Sequence, residues 1–290
     1  PTFTMGPGDV AADTNYFEIP AGGEGVHFKL ITDIVSDEGK WEPIGNASSN
    51  ATLKIFRGYF NGDNHTVGNI VMDNNQNYKG LFGKASGAEI KNLHVQVSMK
   101  TTSPNTNINQ YAGGVVAYAQ GCNISCCRVD GVIQGYDIGG IVGYSTNNIV
   151  RSCYNAATVE YNPRLSGQMT TVGGIAGYSD NILEDCYNVG EIIGNNSSFV
   201  GGLVGNGKAE RCYNLGHVTG NISFYSISGT NFYTDCFNDV QLVPDLPGAT
   251  NKLTVNMTGD ALKSVLGDDG TWTYADNMYP RLSCLDTCRQ

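Results

Sequence analysis

Basic residues are scarce in this sequence. Its 290 residues include 17 Lys and Arg against 27 Asp and Glu, which gives a formal net charge of −10. A nucleic-acid interface needs a concentration of positive charge, and so does attraction to an anionic membrane surface. We therefore expect neither nucleic acid nor a membrane surface among the partners of this chain.

Long apolar runs and helical periodicity are also missing. No stretch reaches the roughly 18 apolar residues of a membrane-spanning helix, and the helical spacing of apolar residues over about ten or more positions that a helical repeat needs is absent. No secretory leader is visible at Pro1, so we expect a chain that starts after a removed leader or never had one. The motifs H-E-x-x-H and G-x-S-x-G do not occur, which removes the usual signatures of zinc peptidases and α/β-hydrolases.

Glycine is abundant, and it marks an internal repeat. Five blocks of the form Gly-apolar-apolar-Gly or Ala begin at aligned glycines, here called the marker glycines: Gly80, Gly114, Gly140, Gly174 and Gly202. A second aligned position, the Cys column, is occupied by Leu93, Cys127, Cys153, Cys186, Cys212 and Cys236. A period of roughly 25–35 residues, built from short apolar runs cut by Gly, Asn, Asp and Ser, predicts repeated strands and turns.

These units are too short for propeller blades and lack helical spacing, so the repeat predicts an all-β β-helix (β-solenoid). Residues 1–243 form this part, with the repeats starting at about residue 80, and 244–290 form a C-terminal cap over the last repeat. Thr258 is expected to cap a short helix over Gly259–Leu266, and Gly267 to end it. A first strand is expected near Tyr16–Ile19.

The aligned columns predict which side chains stack. The Cys column is expected to be an internal ladder of free thiols, because buried Cys packs as a small apolar residue. Two positions later, an internal amide ladder is expected at a turn: Asn155, Asn188, Asn214 and Asn238. The residues between face outward: His94, Arg128, Tyr154, Tyr187, Tyr213 and Phe237. Cys284 and Cys288, outside the repeats, are the best disulfide candidates, and Cys126 is expected to face outward.

Several segments resemble GLUG-motif repeat proteins. Besides the marker-glycine blocks, these are Trp41–Gly45 (WEPIG), Phe56–Ile70 (FRGYFNGDNHTVGNI) and Trp272–Leu282 (WTYADNMYPRL), with Asn61 where the family pattern has Asp. The resemblance implies a right-handed parallel β-helix on secreted or surface bacterial proteins. Such proteins are adhesins or the non-catalytic part of IgA1-cleaving metallopeptidases.

The repeats differ in length at one place, so the extra residues are expected to project from one edge of the stack. Insertions of this kind often carry the binding face of a repeat protein. The candidate binding residues at this edge are Asn105, Asn109, Tyr111, Tyr161, Arg164 and Gln168. No calcium-loop pattern is present, and we expect no metal, no cofactor and a monomer.

Two functions remain open. The first is a non-catalytic secreted or cell-surface module for adhesion or recognition of a glycan or host protein, or a structural spacer. The second is polysaccharide cleavage by Asp185, Arg211 and Asp235, because Asp185 and Asp235 fall two repeats apart, a spacing of roughly 9–10 Å that suits a carboxylate pair. A ladder of opposite charges is the simpler explanation of that column.

Overall fold

The structure is a computed structural model that describes residues 2–5, 21–36, 41–45, 55–72, 76–100, 111–162, 169–195, 197–221, 223–243 and 246–285. For residues 2–5 and 21 it describes the backbone alone. The predicted strand near Tyr16–Ile19 lies outside the described residues. Within them the chain is all-β with little helix, as the sequence predicts.

The strands are short, apart from β4, β7 and β10. In chain order they are β1 Thr2–Met5, β2 His27–Leu30, β3 Ile34–Val35, β4 Tyr59–Met72, β5 Tyr78–Lys79, β6 Phe82–Ser86, β7 Glu89–Met99, β8 Tyr111–Gly113, β9 Val116–Gln120, β10 Asn123–Gly135, β11 Asp137–Gly139, β12 Val142–Thr146, β13 Ile149–Arg151, β14 Tyr154–Asn155, β15 Thr158–Tyr161, β16 Thr171–Gly173, β17 Ala176–Glu184, β18 Tyr187–Asn188, β19 Ile192–Gly194, β20 Phe199–Gly201, β21 Val204–Glu210, β22 Tyr213–Asn214, β23 Val218–Gly220, β24 Phe224–Tyr225, β25 Phe232–Thr234, β26 Phe237–Asp239, β27 Thr250–Lys252, β28 Trp272–Thr273 and β29 Arg281–Leu282.

The helical segments are single turns. Within the described ranges, 3-10 turns lie at Ala21–Gly23, Thr254–Asn256, Gly259–Leu262 and Ser283–Leu285, and the α-helical turn α1 spans Lys263–Leu266. The predicted helix over Gly259–Leu266 is therefore a 3-10 turn that runs into α1. Gly267, with a φ of 102°, ends it. The Thr258 side chain makes no capping hydrogen bond, which differs from the prediction.

Apart from β28 and β29, which pair with each other antiparallel, the strands pair in parallel with the equivalent strands of neighbouring repeats. Arg128 in β10 lies beside Tyr154 in β14, and Tyr154 lies beside Tyr187 in β18. Such pairings join 21 strands into one sheet, and β5, β8, β11, β16, β20 and β24 form a second, six-stranded parallel sheet. Residues about one repeat apart in sequence therefore become neighbours about 4.8 Å apart. The predicted parallel pairing is confirmed.

The Cys column lies in the core. All five cysteines of the column are free and 0% exposed, and Cys127 pairs in register with Leu93. The N–H groups of Cys153 and Cys186 donate to the sulfur one repeat further on, over 3.4 and 3.2 Å. Burial, reinforced by hydrogen bonds with the neighbouring thiols, raises the pKa of Cys186 well above its ordinary value. All five side chains are fully buried within the apolar core, so the thiols pack as small apolar groups.

The residue before each Cys-column position turns the chain in the left-handed region. Its φ is 54° at Asn92 and 51° at Asp185, and the full column is Asn92, Cys126, Ser152, Asp185, Arg211 and Asp235. This conformation costs an ordinary residue about 1–2 kcal/mol, and Asn and Asp tolerate it best. The short polar residues at four of these six positions thus reflect a backbone requirement.

The asparagines stack beneath the marker glycines. Nδ2 of Asn155 donates to Oδ1 of Asn188 over 2.7 Å, and Asn188 donates in the same way to Asn214 over 2.8 Å. Asn238 lies in register with Asn214, but its Oδ1 finds no hydrogen-bond partner among the described residues. A Cβ at the marker Gly174 would lie 2.6 Å from Cγ of Asn188 and 2.2 Å from the carbonyl oxygen of Gly202. The amide ladder thus fills the space that a side chain at the marker position would need.

The extra residues of the longer repeats enter between a strand of the large sheet and a strand of the six-stranded sheet. One insertion lies between β7 and β8, another between β15 and β16, and a shorter one between β19 and β20. In the repeat between them β10 ends at Gly135 and β11 begins at Asp137, so almost nothing intervenes. The insertions therefore share one edge, where the two sheets meet.

The C-terminal segment covers a side of the stack as well as its end. β27 adds to the large sheet beside β26, and the chain then packs over the outward aromatic stack. Tyr213 is only 1% exposed and its hydroxyl donates to the carbonyl of Pro280 over 2.5 Å. The covering residues are Met257, Leu262, Leu266, Trp272 and Leu282. The sequence predicted that this segment covers the last repeat. The segment also covers the side of the stack, because burying the aromatic column removes additional apolar surface from water.

A disulfide joins this segment to the repeats. It links Cys126 to Cys284, with the two Cα atoms 5.8 Å apart. Of the two disulfide candidates predicted from the sequence, Cys284 forms this bond, and Cys288 lies outside the described residues. The partner of Cys284, Cys126, was not among those candidates. Cys126 does face outward, because its left-handed backbone turns its side chain away from the ladder, and the folded-back segment brings Cys284 to it.

Thiol counting tests this arrangement. In a Cys288→Ser background, we expect the six free thiols (Cys122 and the five of the Cys column) to resist Ellman's reagent in the native state because they are buried. Denaturation should release six thiols, and reduction two more from the Cys126–Cys284 bond. Eight thiols on denaturation without reductant would contradict the disulfide, and rapid native labelling would contradict the ladder.

The marker glycines can be tested by adding one methyl group. Gly174→Ala should lower the free energy of unfolding by on the order of 3 kcal/mol, because its Cβ meets backbone and a buried amide that cannot move away. Gly68→Ala is the matched control, since its Cβ would meet the flexible end of Gln96 at 3.0 Å. Urea denaturation measures both variants. Equal losses would show that the glycine–asparagine packing is not the constraint.

Candidate functional site

Two columns of side chains meet at the edge where the sheets join. On the six-stranded sheet Tyr78 pairs in register with Tyr111. On the large sheet Lys84, Tyr118 and Tyr144 follow one another in register, and Tyr178 continues the column. Parallel stacking thus gathers five tyrosines from successive repeats, here called the tyrosine cluster: Tyr78, Tyr111, Tyr118, Tyr144 and Tyr178.

The rings of the cluster hold one another in place. Tyr118 stacks on Tyr144 with centroids 5.4 Å apart, and Tyr144 on Tyr178 with centroids 4.5 Å apart. Tyr111 meets both Tyr118 and Tyr144 edge-on, at 5.6 and 5.2 Å. Contacts of this geometry are favourable for aromatic rings. All five tyrosines remain only half-buried, so a rigid aromatic surface stays open to solvent.

A groove of about 580 Å³ lies at the N-terminal end of the cluster. Its described lining consists of Ile55, Arg57, Asn77, Tyr78, Lys84, Ala85, Ser86, Tyr111, Tyr118 and Gln120. The ammonium group of Lys84 lies over the Tyr78 ring, 4.3 Å from its centroid, and 5.9 Å from that of Tyr118. Aromatic faces beside amide, hydroxyl and cationic groups form the mixed lining typical of ligand sites.

Asp137 lies next to Tyr111 in the six-stranded sheet and has an unusual acidity. Burial raises the pKa of its carboxyl to about 6, although the N–H and hydroxyl of Thr171 both donate to Oδ1 over 3.0 Å. The raised value means that the buried site disfavours the ionised carboxylate, so the proton is lost only as pH rises through about 6. The carboxyl therefore titrates beside the cluster in the physiological range.

The structure separates the six binding residues predicted from the sequence. Tyr111 lies in the tyrosine cluster and lines the groove. Tyr161 is 5% exposed and packs against Tyr136, with centroids 5.9 Å apart, so it supports the edge from within. Asn105, Asn109, Arg164 and Gln168 lie outside the described residues. Their proposed roles stay predictions.

The carboxylate pair considered for polysaccharide cleavage is engaged in other contacts. Both oxygens of Asp185 accept hydrogen bonds from Arg211, over 2.9 and 3.0 Å, and Trp272 of the C-terminal segment donates to the same carboxylate over 3.3 Å. Asp235, by contrast, is exposed. A bidentate guanidinium leaves Asp185 little capacity to activate water or protonate a leaving group. The geometry is that of an ion pair beneath the C-terminal segment.

A hydroxyl–imidazole–carboxylate chain crosses the large sheet. The Thr66 hydroxyl lies 3.1 Å from Nδ1 of His94, whose Nε2 contacts Asp130. Arg128 also donates to both oxygens of Asp130. Burial would raise the pKa of Asp130, but the hydrogen bonds from His94 and Arg128 outweigh it and the pKa is lowered. Asp130 thus acts as the ionised centre of a cross-strand network.

The described residues contain neither a metal-ligand cluster nor a membrane-spanning helix. In this part of the chain no three His, Cys, Asp or Glu side chains gather as metal ligands would. None of its helical segments has the length and apolar character needed to cross a bilayer.

The sequence contains a signal for part of the tyrosine cluster, in addition to the columns described above. Tyr118, Tyr144 and Tyr178 all follow a marker glycine by four residues, and Lys84 and Asn206 hold the same position in the first and last blocks. The repeat register therefore predicts a tyrosine column. It does not predict that Tyr78 and Tyr111, from other strands, meet that column.

A comparison with solved structures shows the fold of this chain in another protein. No family model matches this chain. Halomucin of Haloquadratum walsbyi is 31% identical over 150 residues, which is 48% of this chain but only 2% of halomucin. A Bacteroides ovatus crystal structure described as a "putative immunoglobulin A1 protease" aligns with a TM-score of 0.63 over 90% of this chain and 87% of that chain, at 18% identity. At that identity the alignment shows a shared fold.

The acidity of Asp137 predicts a pH-dependent stability. Its folded-state pKa of about 6 lies above the ordinary value of 3.8, so the folded state holds the proton more tightly. The contribution of this group is therefore fully present below about pH 4 and is lost as pH rises through 6. Asp137→Asn, which keeps an oxygen acceptor for Thr171, should be more stable than wild type at pH 7.5.

Urea unfolding of both proteins at pH 4.0 and 7.5 measures this difference. The advantage of Asp137→Asn should shrink towards pH 4, because Asp137 is then protonated in the folded state. An advantage of the same size at both pH values would mean that the raised pKa of Asp137 is not its cause.

Proposed function

We propose that this chain is a non-catalytic recognition module of a secreted or cell-surface bacterial protein, built as a right-handed parallel β-helix of the GLUG type, and that its ligand is a glycan. The observation that carries the proposal is the half-buried tyrosine cluster beside the groove. Tyrosine offers a flat apolar face together with a hydroxyl, which matches the apolar face and hydroxyl rim of a sugar ring.

The parallel registers support the β-helical part of the proposal. Equivalent strands lie over one another through successive repeats in both large sheets, and the marker glycines and segments around Trp41 and Trp272 follow the GLUG pattern. The Bacteroides ovatus structure named after an immunoglobulin A1 protease shares the fold at low identity. The proposed surface location is supported by the description of that structure and by the similarity to halomucin. The aligned part of this chain corresponds to only 2% of halomucin.

A rigid scaffold suits recognition. The tyrosines project from paired strands rather than from loops, and each ring rests on its neighbour from the adjacent repeat. A surface that is already ordered loses little conformational entropy on binding. A host protein remains an alternative ligand, since aromatic residues are also enriched at protein interfaces.

Polysaccharide cleavage is the second candidate function. Its residues would be Asp185, Arg211 and Asp235. The bidentate contact between Arg211 and Asp185, and the hydrogen bond from Trp272, favour a structural role for this column. The module would then bind a glycan without cleaving it.

A glycan array tests the proposed function. We expect the 290-residue chain to bind defined carbohydrates, and Tyr118→Ala to reduce affinity at least tenfold, about 1.4 kcal/mol, because it removes the ring between Lys84 and Tyr144. Tyr59→Ala is the matched control, since Tyr59 is 41% exposed and does not line the groove. Binding unaffected by Tyr118→Ala would remove the cluster as the site.

Incubation of the protein with each polysaccharide that it binds separates binding from cleavage. Bound polysaccharides should show no new reducing ends and no unsaturated products after prolonged incubation. Release of such products, abolished by Asp185→Asn, would replace the proposal with the second candidate function.

A further inference from the structure

The groove carries a charge opposite to that of the molecule. The chain has a formal net charge of −10, yet the described lining of the groove contains two cationic side chains, Arg57 and Lys84, and no acidic one. The remaining polar lining is neutral, from Asn77, Ser86 and Gln120. A positive site on an acidic surface focuses negatively charged ligands towards it.

Among the described residues these two cations have no carboxylate partner, in contrast to Arg128, Arg211 and Lys29. Arg128 is paired with Asp130 and Arg211 with Asp185, at 3.1 and 2.9 Å, and Lys29 is paired with Asp63 at 2.9 Å. Within the described part of the chain, the guanidinium of Arg57 and the ammonium of Lys84 form no such ion pair. Their charge is thus available to a ligand.

The surroundings fix where such a ligand would sit. The Lys84 ammonium is held over the Tyr78 ring, 4.3 Å from its centroid, and faces the Tyr118 ring in the next repeat. A charge placed above aromatic faces is partly shielded from water, which strengthens its attraction to an anion. Arg57 adds a planar group that can bind a carboxylate or sulfate through two hydrogen bonds.

From this arrangement we propose that the groove binds an acidic sugar. The pyranose ring lies against Tyr118 and Tyr111, and its carboxylate or sulfate group contacts Lys84 and Arg57. Asn77, Ser86 and Gln120 are placed to hydrogen-bond the hydroxyl groups. The inference rests on the proposed function, because it names the class of glycan that the same groove takes.

Titration calorimetry of the whole chain with defined oligosaccharides tests this assignment. The probes are a uronic-acid oligomer, a sulfated oligomer and a neutral oligomer of the same length. We expect at least one acidic oligomer to bind tenfold or more tightly than the neutral one, with an affinity that falls as salt rises. Which of the two acidic probes binds better decides between a carboxylate and a sulfate.

Four variants resolve the contributions. Lys84→Gln and Arg57→Gln should each lower affinity for the acidic oligomer at least fivefold and by more than they lower affinity for the neutral oligomer, whereas Tyr118→Ala should weaken both. Lys208→Gln is the matched control, because Lys208 also lies over an aromatic ring, 5.9 Å from the Phe232 centroid, but outside the groove. Circular dichroism verifies that each variant is folded.

The outcomes are distinct. Equal affinity for acidic and neutral oligomers, or acidic binding untouched by Lys84→Gln and Arg57→Gln, overturns this inference and leaves glycan recognition standing. Failure of every oligomer and every array glycan to bind overturns both proposals. If Lys208→Gln lowers affinity for the acidic oligomer as much as the groove variants do, the attraction is non-specific and the inference is overturned. Displacement of the oligomer by an acidic peptide that binds the groove more tightly also overturns it.

Discussion

Parallel backbone pairing between equivalent segments of successive repeats is the constraint on which the rest depends. Because hydrogen bonds fix one repeat above another in register, every side-chain choice is imposed on its neighbours about 4.8 Å away. Each residue in a column must therefore pack well against residues of the same type. Thiols meet thiols in the Cys column, amides meet amides in the Asn ladder, and rings meet rings in the tyrosine cluster.

The same constraint couples columns to one another. The marker glycines leave room for the stacked asparagines, since a Cβ at Gly140 would lie 2.3 Å from Oδ1 of Asn155. In the earlier repeat the ladder position holds Val129, and a Cβ at Gly114 would lie 2.4 Å from Cγ1 of Val129. The glycine requirement therefore comes from close packing at the turn, and the amide ladder is one of two ways to fill that space.

The outward-facing aromatic columns differ in whether another segment of the chain covers them. The stack of Tyr154, Tyr187, Tyr213 and Phe237 supports a small second core under the C-terminal segment, which is fastened by the Cys126–Cys284 bond and by the hydrogen bond from Tyr213 to Pro280. The tyrosine cluster, at the edge where the insertions enter, stays half-buried and borders the groove. An identical residue type is thus structural on one face and available to a ligand on another.

Because its rings stay accessible, the tyrosine cluster is a better candidate for the proposed binding surface than the covered aromatic stack. Aromatic rings that are already stacked present a surface whose order is set by the strands beneath them. In the proposed mode of binding, the adjacent cations Arg57 and Lys84 would add selectivity that aromatic area alone does not give. Recognition by such a module needs no catalytic group, and the most prominent carboxylate considered for catalysis, Asp185, is held by Arg211.

The sequence by itself determined the strand-rich class, the repeat register and the composition of each column, because these depend on local turn chemistry and on a periodicity that any chain of this kind must show. It also indicated that Cys126 leaves the ladder and that Gly267 ends a helical turn. What it left open were contacts between parts of the chain that no period relates. Tertiary structure alone decided that Cys284 bonds Cys126, that the C-terminal segment buries Tyr213, and that Tyr78 and Tyr111 join Tyr118 at one edge. Those contacts arise from how the segments pack in space, a three-dimensional arrangement that spacing along the chain does not encode.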